Sequence, residues 1–157
     1  LRMTEGRYFP NVMFGTSIED QFYAHQRLPH LHAARVRCGA GLFVSCEPLL
    51  GPVDLGLDGK YPQQLDWVIT GGESGNEARP AKSDWYRTLR DQCLEYGGVP
   101  FHFKQFDATY GKTYNEFSSF PKDLQIQELP ACVYQRGKKT TLASEAKGPG
   151  DQTTVEG

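Results

Sequence analysis

Three ionisable residues, Glu47, Glu73 and Lys104, each stand at or just past the end of an apolar run. The runs are 42–46, 65–70 and 99–103, and a fourth run, 11–17, is followed by Glu19. Carboxylates that converge on one pocket can accept hydrogen bonds from an amine or a sugar hydroxyl, or work as acid and base. A lysine beside them would hold them ionised. The plainer alternative is a structural ion pair across the mouth of a sheet or barrel. Three of the four runs end in a carboxylate and the fourth in a lysine, which a strand used only for packing does not need.

The neighbours of these residues extend the candidate site. Side chains alternate along a strand, so Ser45 shares a face with Glu47, and His102 with Lys104, with Gln105 opposite. In Gly71-Gly72-Glu73-Ser74-Gly75 the backbone can approach a ligand closely and its amides could form an anion nest, although many such loops are only turns. Arg79 can pair with a carboxylate or a phosphate, or simply be solvated. Ser17 reads as a helix cap rather than a nucleophile, because no Ser-His-Asp arrangement and no G-x-S-x-G is present. His30 and His32 are two apart and do not share a helix face, so no metal site is expected there. His25 reads as a surface residue and His102 as a core histidine worth watching. Trp67 and Trp85 read as core. Cys38, Cys46, Cys93 and Cys132 form no CxxC pair and have no histidine at zinc-finger spacing, which predicts reduced, buried thiols. The short basic cluster Arg136, Lys138 and Lys139 reads as solvated.

The elements that must position these groups alternate strand and helix. Strands are expected over 11–17, 42–46, 65–70 and 99–106, and their mostly apolar composition fits strands covered on both faces. A helix is expected over 19–35, with Ser17 and Asp20 as a capping box and Pro29 dividing it in two. A second is expected over 84–96, with Ser83 as N-cap, Gly97 or Gly98 as C-cap, and an apolar stripe of Trp85, Leu89, Cys93 and Tyr96. Residues 47–64 read as a long Gly/Pro loop. Residues 110–134 are mixed, with room for a short pair of strands, and 136–157 read as a disordered tail after a domain over 1–135. The pattern predicts an α/β fold with parallel strands, whose carboxyl ends gather on the face where such folds hold ligands.

Composition fits this reading. The chain has 157 residues and a formal net charge of −2. Counting Gly and leaving out Tyr, the apolar share is roughly 44%, near the globular range of about 45–50%. The near-neutral balance gives no basic surplus for sequence-independent nucleic-acid binding. No run approaches the ~18 apolar residues of a membrane span, and the opening residues are not a signal peptide, so a cytoplasmic protein is expected. The abrupt start, with a strand within about ten residues, suggests a partial gene product.

Three segments together carry a family resemblance: 43–55 (FVSCEPLLGPVDL), 65–75 (LDWVITGGESG) with Ala78-Arg79-Pro80, and 99–105 (VPFHFKQ). The opening 11–20 and the helix segment 89–93 fit as well. The chain resembles a phage- and prophage-encoded family of radical-SAM-like proteins, often encoded beside a three-Cys-motif partner protein. The resemblance covers residues 10–125. It implies the later strands of a partial TIM-like barrel, with Ser17, Glu47, Glu73 and Lys104 lining the pocket for S-adenosylmethionine or substrate. Ser45, Gly71, Gly72, Ser74, Arg79 and Gln105 join them as cofactor-binding candidates. The family's three-cysteine motif, of the kind that holds a [4Fe-4S] cluster, lies in an amino-terminal half that this chain lacks, and the four cysteines here do not reproduce it. His102 departs from the aromatic residue expected at its position. Four strands cannot close a small barrel, which takes about eight. The open edge would therefore be covered by the missing half, a partner chain or a second copy. Two other functions compete: a non-catalytic interaction module, and a barrel hydrolase using Glu47 and Glu73 as acid and base.

Overall fold

The computed structural model describes residues 12–60 and 65–131. Asn11, Cys132, the basic cluster at 136–139 and the expected disordered tail lie outside the described residues. Four strands form one sheet: β1 (Met13–Ser17), β2 (Gly41–Cys46), β3 (Trp67–Gly71) and β4 (Phe101–Gln105). The sheet order is β1-β2-β3-β4, and every ladder is parallel. Helix α1 (Gln21–Cys38) connects β1 to β2, and α2 (Ser83–Glu95) connects β3 to β4. The fold is mixed α/β, as the alternation of elements predicts.

Strand order and handedness fix which face the helices cover. Right-handed crossovers between strands added in one direction place every connection on the same side of the sheet. Leu42, Val44 and Cys46 of β2, Val68 of β3, and Phe101 and Phe103 of β4 pack into one core with Leu28 and Leu31 of α1 and Tyr86, Leu89 and Cys93 of α2. The other face is only half-buried. Its rows follow from the register: Gly15, Phe43 and Trp67 in one, and Ser17, Ser45, Ile69 and His102 in the next. Gly15 makes room there for the Phe43 ring, which would lie 2.2 Å from an added Cβ. Trp67 meets Phe43 and His102 at ring separations of 6.0 Å.

Several local expectations are corrected. Asp20, not Ser17, caps α1: its carboxylate accepts from the Phe22 and Tyr23 amides. Helix α1 runs unbroken through Pro29. Pro29 and His25, the residue whose carbonyl loses its partner, are both exposed, so water can satisfy that carbonyl. In α2, Ser83 is the first helical residue rather than the cap, and Lys82 caps without a side-chain bond. The C-cap is Tyr96, followed by Gly97 and Gly98 at positive φ. Tyr86, Leu89 and Cys93 are the buried residues of α2, while Trp85 is half-buried and Tyr96 is at the surface.

Among the described residues that follow β4 there are three 3-10 turns (Ala108–Tyr110, Phe117–Ser119, Lys122–Leu124) and one antiparallel bridge, His102 to Gln127, rather than a short pair of strands. That bridge covers the outer edge of β4. The Phe103 amide donates to the Ile126 carbonyl at 2.8 Å, the Glu128 amide to the Phe101 carbonyl at 3.0 Å, and the Trp67 indole to the Glu128 carbonyl at 3.0 Å. Among the described residues no strand pairs with the outer edge of β1. No helix among them is long and apolar enough to cross a membrane.

Candidate functional site at the carboxyl ends of the strands

Parallel pairing carries the ends of β2, β3 and β4 to one rim. A cavity of about 200 Å³ opens there, lined by Glu47, Pro48, Gly72, Glu73, Ser74, Lys104 and Gln105. The sequence candidates Glu47, Glu73 and Lys104 therefore share one pocket.

Glu47 is the centre of the site. Its Oε2 accepts from the Ser45 hydroxyl at 3.1 Å, so the pair expected to share a face is hydrogen-bonded. Lys104 Nζ approaches Oε1 at 3.2 Å and Oε2 at 3.4 Å. Glu47 is mostly buried and Lys104 is half-exposed. Glu47 directly follows β2 and Lys104 lies in β4, the two strands that flank β3, whose last residue is Gly71.

A register shift at Thr70/Gly71 helps to bring them together. Thr70 pairs with Phe103 and Gly71 with Gln105, so Lys104 is the extra residue of a bulge. Bulges re-aim side chains in this way. The bulge also corrects the expectation that Gln105 stands opposite Lys104, since both line the cavity. The Gln105 amide donates to the Gly72 carbonyl at 3.1 Å. Gly72 itself is set by crowding: a Cβ there would lie 2.1 Å from the Asp107 nitrogen.

Glu73 faces a different partner. Arg79 grips both its oxygens, at 2.8 Å through Nε and 2.6 Å through Nη2, and the Arg79 backbone amide adds a third bond at 2.8 Å. The Arg79 side chain and amide hold the Glu73 carboxyl down to about 2. Glu73 is thus an ionised acceptor at any ordinary pH, and Arg79 is engaged within its own loop.

The remaining candidates are more peripheral. Ser17 is exposed beside Ser45 in the register, and its carbonyl accepts from Arg27, which also pairs with Glu19 at 2.9 Å. Glu19, the third acidic strand end, is thereby tied to α1. His102 is half-buried, and burial pushes its imidazole below the ordinary histidine value, against the opposing pull of Glu47.

Two groups near the rim are hard to see in the sequence. Asp107 is buried just past β4 and accepts from the Ala81 and Thr109 amides at 3.0 and 3.1 Å. Tyr86 is fully buried, and burial, followed by Asp107 and Glu47, pushes its hydroxyl up. The one signal for Tyr86 is its i, i+3 spacing to Leu89.

Fold and site together define a singly wound parallel α/β protein with a charged rim. The chain belongs to the family described as Protein of unknown function (DUF5131), whose model matches residues 2–146. No curated protein and no solved structure matches it.

Proposed function

We propose that this chain is the later-strand portion of a radical-SAM-like barrel, of the phage-encoded kind its motifs resemble, and that its rim binds one end of S-adenosylmethionine or of the substrate. The carrying observation is the pairing of Glu47 with Lys104 at the carboxyl ends of a sheet wound in one direction, with both helices on one face. Sequential order with one-sided helices is how a (β/α) barrel is built, whereas a doubly wound sheet places helices on both faces. The strap over β4 leaves β1 as the edge where earlier strands, from upstream sequence or a partner chain, would join.

The rim suits part of such a cofactor. Its cavity of about 200 Å³ is smaller than the ~300–1,000 Å³ of most small-molecule sites, so it would hold one end and leave the rest to the other half of the barrel. Glu47 and Ser45 offer oxygens to an amine or a ribose hydroxyl, and Lys104 offers a cation to a carboxylate. When bound with a [4Fe-4S] cluster, S-adenosylmethionine supplies reductive radical chemistry. The cluster does not fit the residues described here. Burial pushes the Cys46 thiol up and the Cys93 thiol up to about 12, away from the thiolate a cluster needs. No group of three or more metal-binding side chains gathers among the described residues.

A hydrolase using Glu47 and Glu73 is less well supported. Glu73 is held ionised and so is not the acid of such a pair, and Arg79 engages both of its oxygens, which leaves it poorly placed as the base. The interaction-module reading rests on the same open β1 edge, and affinity for S-adenosylmethionine separates it from the cofactor reading.

The test is calorimetric titration of the protein with S-adenosylmethionine. The proposal expects binding that weakens about tenfold or more in Glu47→Gln and in Lys104→Met. No binding, or binding unchanged in both variants, would overturn it. An in-frame upstream sequence encoding closely spaced cysteines would add support, and a stop codon immediately before Leu1 would count heavily against it.

A further inference from the structure

We propose that Gly71 is the positioning residue of this site: its missing side chain is the space through which Glu47, just past β2, reaches Lys104 of β4. A Cβ built on Gly71 would lie 2.6 Å from Glu47 Oε1, 3.3 Å from Glu47 Cδ and 3.4 Å from Gln105 Cγ. Oε1 is also the Glu47 oxygen nearest to Lys104 Nζ, at 3.2 Å. The oxygen that makes the ion pair thus occupies the volume a methyl group would take. A side chain at position 71 would stand between the two charges.

The adjacent glycine sharpens the argument. At Gly72 an added Cβ meets backbone, 2.1 Å from the Asp107 nitrogen and 2.5 Å from its Cα, and backbone cannot step aside. At Gly71 the close atom is the end of a flexible side chain, which can swing away. The geometry therefore separates the two glycines, Gly72 serving packing and Gly71 serving the charge couple. Gly71 carries no positive φ, so conformational freedom does not explain its presence. The inference gains functional meaning from the reading that Glu47 and Lys104 face the ligand, but the geometry can be tested without it.

The experiment is a double-mutant cycle on the full chain, read by urea denaturation and by the NMR signal of the Lys104 side-chain amine. Gly71→Ala is expected to fold, to lower the denaturation midpoint, and to shift the Lys104 signal toward that of a solvated lysine. In a Glu47→Ala background, where the obstructing carboxylate is gone, Gly71→Ala is expected to leave both the midpoint and the Lys104 signal unchanged. Equal effects in the two backgrounds, or an unmoved Lys104 signal in Gly71→Ala, would overturn the inference. If Gly71→Ala does not fold, the Glu47→Ala/Gly71→Ala protein decides the matter: a folded double variant supports the inference and an unfolded one contradicts it. These readouts need no ligand, so a wild-type protein that fails to bind S-adenosylmethionine would count against the functional reading alone.

Discussion

Arg79 closes a fork on Glu73, with Nη2 on one carboxylate oxygen at 2.6 Å and Nε on the other at 2.8 Å. The contact ties the end of β3 to the loop that leads into α2, and it fixes the charge state of one of the two rim carboxylates. A bidentate fork of this kind is geometrically specific as well as charge-assisted.

Removing the fork should release that charge state. In Arg79→Ala, carbon-detected NMR titration should move the Glu73 inflection from about 2 toward the ordinary glutamate range of ~4.3. Because the folded value is depressed, this pair stabilises the fold above the unfolded value of 4.5, and the contribution is lost as pH falls toward about 2. The wild-type protein should therefore lose more stability between pH 5 and about 2 than Arg79→Ala does. Identical acid profiles would contradict the assignment.

The two histidines with lowered values also cost stability on acidification, but in a higher pH window. His32 and His102 are both pushed below 6.5 by burial, with Arg35 adding to the effect at His32. The unfolded chain then binds protons more readily, so stability is full above the unfolded value and falls as pH drops through 6.5, levelling below the folded values. The urea midpoint should decline from pH 7.5 to pH 5.5, and His102→Gln should flatten part of that decline. A midpoint that rises on acidification would refute this sign.

Gly72 and Gly71 should differ sharply in stability. Gly72→Ala forces backbone apart and should cost roughly 1–3 kcal/mol or more, the range of overpacking. Gly71→Ala should cost less. Urea denaturation of the two single variants compares them directly, and a reversed order would show that the backbone near Asp107 yields more easily than the Glu47 side chain.

Asp20 should carry the cap of α1. Asp20→Ala removes the one oxygen, Oδ1, that accepts from two first-turn amides at 2.9 and 3.2 Å, and should cost about 1 kcal/mol, within the range of lost N-caps. Ser17→Ala should cost little. Thermal melts that rank the two the other way would restore Ser17 as the cap.

The sequence carries the architecture well, because apolar runs separated by capped helical segments have few alternative arrangements. Glu47, Glu73 and Lys104 were legible as a group because each ends such a run, and parallel strands gather their ends. Their partners were not legible. Strict alternation cannot anticipate the bulge that makes Lys104 an extra residue and puts Gln105 on the same cavity. Nor does spacing tell that Glu73 closes onto Arg79 six residues ahead while Glu47 reaches across a whole strand. Pro29 does lie in the helix interior, but it and His25 are exposed, so the helix runs on at the cost of one backbone bond that water can replace. The mixed stretch after residue 110, which left room for a short pair of strands, makes 3-10 turns and one bridge whose register depends on Trp67 and Phe101, far away in sequence.

The most direct test of the central claim is a two-dimensional amide NMR titration of the labelled protein with S-adenosylmethionine. The account predicts saturable shifts confined to the strand ends, at Gly71, Gly72, Ser74, Lys104 and Gln105. Shifts centred instead on the groove between Asp54, Asp91 and Tyr96, or no saturable shifts anywhere, would contradict it.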